Sequence, residues 1–158
     1  MTRTAVAAAV CYRVGARGPR FLLVRTKGGR AWTFPKGHVR RRSGEAAWAA
    51  ALREAREEAG VVGRVRSRRP LTYYAYAKRD TGKVDRVAAY LIDVVRTVEP
   101  QETFRTPTWA SPARSRQLLA QRRRGNDVEE HWRVIDKALA RLASASTNSA
   151  QRIDSNKV

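Results

Sequence analysis

The apolar and polar positions change rhythm along the chain, and each change predicts a different element. Residues 5–14 and 21–25 are apolar runs of strand length, joined by a glycine-rich turn at 15–19. A second turn, Lys27-Gly28-Gly29-Arg30, precedes a short strand at 31–34 that Pro35 stops. Residues 36–44 are basic and bounded by glycines, which reads as a loop. From there to Ala59 the period becomes helical. Trp48, Leu52, Ala55 and Ala59 form one apolar stripe, with Ser43 placed to cap the start and Gly60 to end it. Strand periodicity returns at 61–66 and 71–78, followed by the hairpin turn Asp80-Thr81-Gly82-Lys83 and a strand at 84–96. The centre of that strand, 87–92, is apolar without a break, so it is expected to be buried on both faces. A short strand at 106–110 and helices at 112–123 and 128–142 complete the pattern. Strands, one helix, a long hairpin and terminal helices imply an α/β layer arrangement with a mixed sheet.

Composition bounds this picture. The 158 residues suffice for one buried core. That domain is assigned to residues 1–143, and the Ser/Asn/Ala-rich stretch 144–158 is expected to be a disordered tail. No apolar run approaches the roughly 18 residues of a membrane span. The run after Arg3 is not followed by a small-residue cleavage site and polar linker, so it reads as a strand and not a signal peptide. A cytoplasmic location and no membrane partner are expected. The single cysteine, Cys11, has no internal disulfide partner and reads as a small core residue.

Charge adds less than its size suggests. The net charge is +19, from 33 Lys+Arg against 14 Asp+Glu, and such a field attracts polyanions. Only six of those 33 are lysine, and an arginine-favouring genome produces the same excess. The cluster Arg64, Arg66, Arg68, Arg69 and the run Arg122-Arg123-Arg124 would suit a nucleic-acid partner, but no nucleic-acid reading motif accompanies them.

The acidic residues are more informative. Glu45, Glu54, Glu57 and Glu58, four of only 14, fall in one short window of this basic chain. Glu54, Glu57 and Glu58 stand at i, i+3 and i+4, so they share a helix face. Like charges at this spacing destabilise a helix by roughly 0.2–0.5 kcal/mol per pair. Beside a buried stripe they call for a cation, and hard oxygen ligands suit Mg²⁺ or Mn²⁺. A solvated face paired with Arg53 and Arg56 is the alternative for an isolated E-x-x-E-E.

The wider pattern decides between them. Glu45, seven residues, then Arg53-Glu54-Ala55-Arg56-Glu57-Glu58-Ala59-Gly60-Val61 resembles the Nudix box, E-x7-R-E-U-x-E-E-x-G-U, where U is apolar. Phe34-Pro35-Lys36-Gly37-His38 resembles the entry to that box in dinucleoside polyphosphate hydrolases of the family. The chain departs from it in one place. Gly37 and Glu45 are separated by seven residues where the family has five, and the surplus falls in Arg40-Arg41-Arg42-Ser43.

The resemblance implies an α/β/α sandwich and a pyrophosphohydrolase using Mg²⁺ or Mn²⁺. It implies Glu57 and Glu58 as metal ligands, Glu54 as a third ligand or near neighbour, and the Gly37 carbonyl as a further ligand if the lengthened loop still lets it reach. Glu45 and Arg53 would orient loop and helix through a salt bridge. The base is either Glu58 or a loop acid, Glu99 or Glu102. Lys36, His38, Arg25 and Arg40 are candidates to hold phosphate, and Tyr74, with Tyr73 and Tyr76, to stack a base; tyrosines in a strand are otherwise ordinary sheet residues. Trp32, Trp109, His131 and Trp132 read as packing residues. The expected partner is a small diphosphate-containing molecule, a dinucleoside polyphosphate first. A diphosphoinositol polyphosphate or an RNA 5′ end is the alternative, from the arginines near the box and the string Ala49-Ala50-Ala51-Leu52-Arg53-Glu54.

Overall fold

In the computed structural model, which describes residues 5–78 and 80–155 and side chains as far as 146, a mixed sheet lies between helices on its two faces. Strand β1 (Val6–Gly15) is its centre. It runs parallel to β7 (Val84–Thr97) and antiparallel to β2 (Gly18–Arg25). The main order is β3-β2-β1-β7-β5, with β3 at Trp32–Thr33 and β5 at Val61–Val65. Strand β4 (Lys36–His38) pairs with β1, β6 (Thr72–Ala77) with β7, and β8 (Thr108–Ala110) with β2.

The alternation of the central strands divides the core. Val6, Ala8, Val10 and Tyr12 of β1 and Val87, Ala89 and Leu91 of β7 share a cluster with Leu118 and Leu119 of α2 (Pro112–Ala120) and Val134, Ile135 and Ala138 of α3 (Asn126–Ser155). The intervening Ala7, Ala9, Cys11, Ala88, Tyr90 and Ile92 pack with α1 (Ala47–Ala59). The unbroken apolar run at 87–92 is therefore buried on both faces, as expected, and the architecture is the α/β/α sandwich.

The two layers differ in the size of the side chains that fill them. Under α1 most of the contact is alanine: Ala7, Ala9 and Ala88 from the sheet meet Ala50, Ala51, Ala55 and Ala59 from the helix. Small side chains let the helix sit close to the strands, so polar residues on its flank reach the neighbouring β4.

Several expectations need correction. Residues 36–44 are not one loop. Lys36, Gly37 and His38 pair with Ala8, Ala7 and Val6, and flanking bonds from Ala9 N to the Pro35 carbonyl and from Val39 N to the Ala5 carbonyl complete the ladder. Ser43 does not cap α1. It lies in a 3-10 turn at Arg41–Ser43, its hydroxyl donates to the Arg40 carbonyl, and Ala46 occupies the N-cap position without a side-chain bond. The core stripe is rotated. Ala50, Ala51, Ala55 and Ala59 are buried, while Trp48 and Leu52 are only partly so. The helix turns its alanines toward the strands, and its own large side chains lie at the rim. Helix α2 ends at Ala120, short of residue 123, and α3 continues past residue 142 to Ser155, so the expected tail begins inside a helix. Residues 1–4 and 156–158, and the side chains from 147 onward, lie outside the described residues.

The alanine packing under α1 is testable. Ala51→Leu should destabilise the fold by about 1–3 kcal/mol through overpacking. Urea unfolding monitored by far-UV circular dichroism reads this as a lower midpoint, and an unchanged midpoint would show that the layer has slack.

Candidate active site

Helix α1 brings Glu54, Glu57 and Glu58 to the end of the sheet where β4 begins. Its C-terminus is held tightly. Gly60 is left-handed (φ 66°) and donates to the Arg56 carbonyl, while Val98 N donates to the Gly60 carbonyl at 2.7 Å. A Cβ on Gly60 would stand 2.0 Å from the Val98 carbonyl oxygen, so only glycine fits. Glu102 N donates to the Glu57 carbonyl at 3.0 Å, which docks the loop between β7 and β8 onto this end of the helix.

Arg53 is the organising group. Its Nε and Nη2 donate to the two oxygens of Glu45 at 2.8 and 3.0 Å, a bidentate pair. Nη1 donates to Glu54 at 2.8 Å and to Glu57 at 3.3 Å, and Nη2 also reaches the His38 carbonyl at 3.0 Å. Hydrogen bonding from Arg53 holds the Glu45 carboxyl below its usual range. The expected Glu45–Arg53 salt bridge is thus present, and it extends to the metal-ligand candidates.

The surplus loop residues have a definite place. Arg40 N donates to Glu45 Oε1 at 3.0 Å, and Glu45 N donates to the Arg40 carbonyl at 3.2 Å. These bonds close the chain at its base, and Arg41–Ser43 are extruded as the 3-10 turn, ending in left-handed Gly44. The register on either side is undisturbed. Gly37 still lies against Glu54, and a Cβ there would meet Glu54 Oε1 at 2.1 Å.

Glu58 is 3% exposed. Its Oε2 accepts from Lys36 N at 3.1 Å, and its Oε1 lies 3.3 Å from Arg105 Nη2. Burial pushes its carboxyl up to about 7, with Glu54 adding to the rise and Arg105 opposing it. Burial also raises Glu54 above its ordinary value, against the pull of Arg53. Arg105 bridges onward to Glu102 at 3.1 Å and to the Arg25 carbonyl at 3.2 Å.

These residues suit a hard divalent cation. Two carboxylates buried at i and i+4 are both raised by desolvation, which Arg53 and Arg105 offset only in part, so a cation would stabilise their ionised forms. The Glu54 carboxylate occupies the space that a side chain on Gly37 would need, so the glycine lets carboxylate and backbone approach closely. Among the described residues the carboxylates do not form a closed metal cage, because Arg53 and Arg105 engage their oxygens.

Beside Glu58 opens a cleft of about 600 Å³. Its wall includes seven cations, Lys27, Arg30, Lys36, Lys78, Arg105, Arg122 and Arg123, against the acids Glu58, Asp80 and Asp127. This carboxylate helix, held through Arg53 to a glycine-entered loop and opening on a cationic cleft, accords with the family comparison. The NUDIX domain model matches residues 1–127. The chain belongs to the NUDIX family.

Solved structures agree on the fold. A C. elegans Ap4A hydrolase binary complex is similar at TM-score 0.69 and 24% identity, covering 90% of this chain and 99% of that one. A NUDIX hydrolase from Nitrosomonas europaea is similar at TM-score 0.63 and 21% identity, covering 87% and 90%. RenU, a Nudix hydrolase from M. smegmatis, follows at 0.60 and 18%, covering 89% and 88%. No curated protein matches the chain. Each of these three solved structures carries a hydrolase name, and their likeness to this chain is one of fold.

The candidates named from the sequence separate on this Nudix frame. Glu45, Arg53, Glu54, Glu57, Glu58, Gly37 and Glu102 come together, and Lys36 lines the cleft. Glu99 is exposed and is not among these contacts, whereas the Glu102 charge acts on both Glu54 and Glu58. Tyr74 is 1% exposed in the core, so it has no open face for a base; Tyr76, two residues on, lines the cleft. The period of the strand tells which tyrosines share a face but not which face is open. His38 lies on the outer side with Arg40 to Ser43, and only its carbonyl joins the Arg53 network. Arg25 stacks on Trp32 at 4.2 Å, outside the cleft lining. Arg40 reaches Glu57 at 3.7 Å and is largely exposed. Sequence reasoning missed Arg105. Its signal was the i, i+3 spacing from the loop acid Glu102.

Two outcomes test this geometry. Gly37→Ala should weaken Mg²⁺ binding by about tenfold or more, because Glu54 must move; titration calorimetry measures it, and wild-type affinity would refute the close approach. The second concerns pH. The folded Glu58 carboxyl holds its proton more tightly than the unfolded one. Its contribution to stability is therefore full below pH 4.5 and lost as pH rises through about 7. In metal-free protein, urea unfolding at pH 5 and pH 8 should show a decline that Glu58→Gln reduces by up to about 3 kcal/mol. A decline of equal size in the variant would contradict the assignment.

Proposed function

We propose that this Nudix hydrolase is a Mg²⁺- or Mn²⁺-dependent pyrophosphohydrolase of a polyphosphate-bridged small molecule, a dinucleoside polyphosphate in the first instance. The observation that carries the reading is the cleft: seven cations converge on an opening whose inner wall includes Glu58. Several phosphates in a row match such a field better than a single diphosphate does. The similarity to the C. elegans Ap4A hydrolase supports the same class.

Glu54, Glu57 and Glu58 would hold the metal. When bound, it supplies charge neutralisation at the phosphates and acidifies water. The remaining work belongs to this chain. Arg53 keeps the ligand carboxylates and the loop in register. Glu102, held by Arg105 through Oε1 alone, is the proton acceptor we favour over Glu58, both of whose oxygens are engaged, by Lys36 N and Arg105. The attacking water loses its proton to Glu102, its oxygen bonds to phosphorus, and the bridging P–O bond breaks toward the leaving phosphate. Lys36 and Arg105 are positioned to hold phosphate oxygens by charge. A cytoplasmic location accords with the buried free Cys11. A nucleic-acid partner would be met through the same cations, by charge alone.

One observation favours a second substrate. The ring of Tyr76, which lines the cleft, carries Lys36 Nζ at 3.8 Å and the Arg123 guanidinium at 5.9 Å. Cations on the aromatic faces leave less room for base stacking and favour a diphosphoinositol polyphosphate.

The discriminating experiment is a turnover panel with Mg²⁺: diadenosine polyphosphates, diphosphoinositol polyphosphates, ADP-ribose, nucleoside triphosphates and 5′-triphosphate RNA. Diadenosine polyphosphates should give the highest kcat/KM, and a higher value on diphosphoinositol polyphosphates selects the second reading. Glu57→Gln and Glu58→Gln should each lose at least about a hundredfold in kcat, and Glu102→Gln about 10²–10⁴-fold, with Glu99→Gln near wild type. Full activity in the Glu57 and Glu58 variants would refute the metal assignment.

A further inference from the structure

The inner end of the cleft contains polar groups that the metal site does not use. Arg123 lines the cleft although its side chain is only 5% exposed. Its Nη1 donates to two carbonyls, Trp32 O and Leu119 O, both at 2.7 Å. Its Nε stands 3.7 Å from Asp127 Oδ2, too far for a hydrogen bond. These contacts pin the guanidinium plane through Nη1, with Nε in a longer ion pair. Nη2 has no partner among the described residues and belongs to a side chain that faces the cleft.

Two orphaned hydroxyls sit with it. Thr33 directly follows the residue whose carbonyl Arg123 binds; it lines the cleft, is 2% exposed, and its Oγ1 has no partner. Tyr74 is 1% exposed and its hydroxyl is likewise unpartnered. Its ring meets Phe34, the neighbour of Thr33, at 6.1 Å, and shares the His131 ring with the cleft-lining Tyr76, so it packs directly behind the cleft floor. Buried hydroxyls without partners are costly and rare in native proteins.

His131 completes the wall without joining in. Its ring contacts Tyr74 at 5.2 Å and Tyr76 at 5.9 Å. Burial holds the imidazole down to about 3, so it is neutral. Nδ1, at 2.7 Å from the Asp127 carbonyl, must carry the proton, which leaves Nε2 an acceptor and no ligand for a phosphate oxygen. The donors at this end are therefore Arg123 Nη2, the hydroxyls of Thr33 and Tyr74, and Lys36 Nζ above the Tyr76 ring.

We infer that Arg123, Thr33 and Tyr74 form an anion subsite, separate from the carboxylates of α1, that takes a phosphate group of the substrate away from the bond that breaks. The anion-binding part stands on this geometry alone; only its assignment to a distal phosphate rests on the proposed function. Arg123 supplies a pre-oriented charge-assisted donor, and rotation of the two hydroxyls toward the anion gives them the partner they lack.

The test uses tripolyphosphate as probe and metal-free, full-length protein, read by titration calorimetry at low salt. Arg123→Gln should weaken binding at least about tenfold, as loss of a hydrogen bond between charged groups does. Thr33→Val and Tyr74→Phe keep the side-chain shape and should each weaken it about threefold or more. Arg64→Gln, an exposed arginine outside the cleft, controls for net charge and should change little. Should Arg123→Gln not fold, the two hydroxyl variants decide alone. Wild-type affinity in both, or an equal loss in Arg64→Gln, overturns the subsite. Binding that depends on these residues in a protein inactive on the whole turnover panel would keep the subsite and discard the proposed function. Turnover with unchanged tripolyphosphate binding in the variants would do the reverse.

Discussion

One guanidinium holds the active-site end of this protein together. Arg53 joins the glycine-entered loop, through Glu45 and the His38 carbonyl, to the helix face that carries Glu54 and Glu57. Without it, carboxylates of like charge would stand together on one flank of a half-buried helix. Charge-assisted bonds of this kind are short and directional, so they set geometry as well as energy. Charged neighbours elsewhere in the chain are mostly solvated and contribute little.

That interaction works only because the layers put its partners within reach. The alanine interface brings α1 close to β1, and β4 adds Lys36 to His38 to the edge of the same strand. Gly37 then lies where any side chain would collide with Glu54. The loop closes at Arg40 and Glu45, so two extra residues are absorbed outside the site as a 3-10 turn. Lengthening a surface turn costs little once the hydrogen bonds at its base persist. The departure from the family's spacing is therefore a local excursion.

Charge is distributed on opposite principles in the two halves of the site. On α1, carboxylates are buried and raised, ready for a cation. Across the cleft, arginines and lysines come from four separate stretches of chain: the β2–β3 turn, the start of β4, the end of β6 and the α2–α3 connection. Arg105 is the contact between the halves, bound to Glu58 and Glu102 while facing the cleft. A diphosphate with its metal would meet both at once.

Much of this was written in local sequence. The succession of most strands and helices along the chain, the doubly buried run at 87–92, the helix ended by Gly60 and the carboxylate spacing all depend on periods of two or 3.6 and on neighbours a few residues apart. The Glu45–Arg53 pair was legible for the same reason, since a fixed spacing along the chain implies a fixed spacing in space. What tertiary structure alone decided is which face of each element is open. Tyr74 and Tyr76 have the same parity in β6, yet one is in the core and the other lines the cleft. Arg105 and Arg123 are ordinary arginines in a basic chain until the loops bring them to Glu58 and Trp32. The carboxylate face is carried by one helix and can be read along it, whereas the cleft is assembled from residues distant in sequence, whose meeting depends on the packing of the whole sandwich.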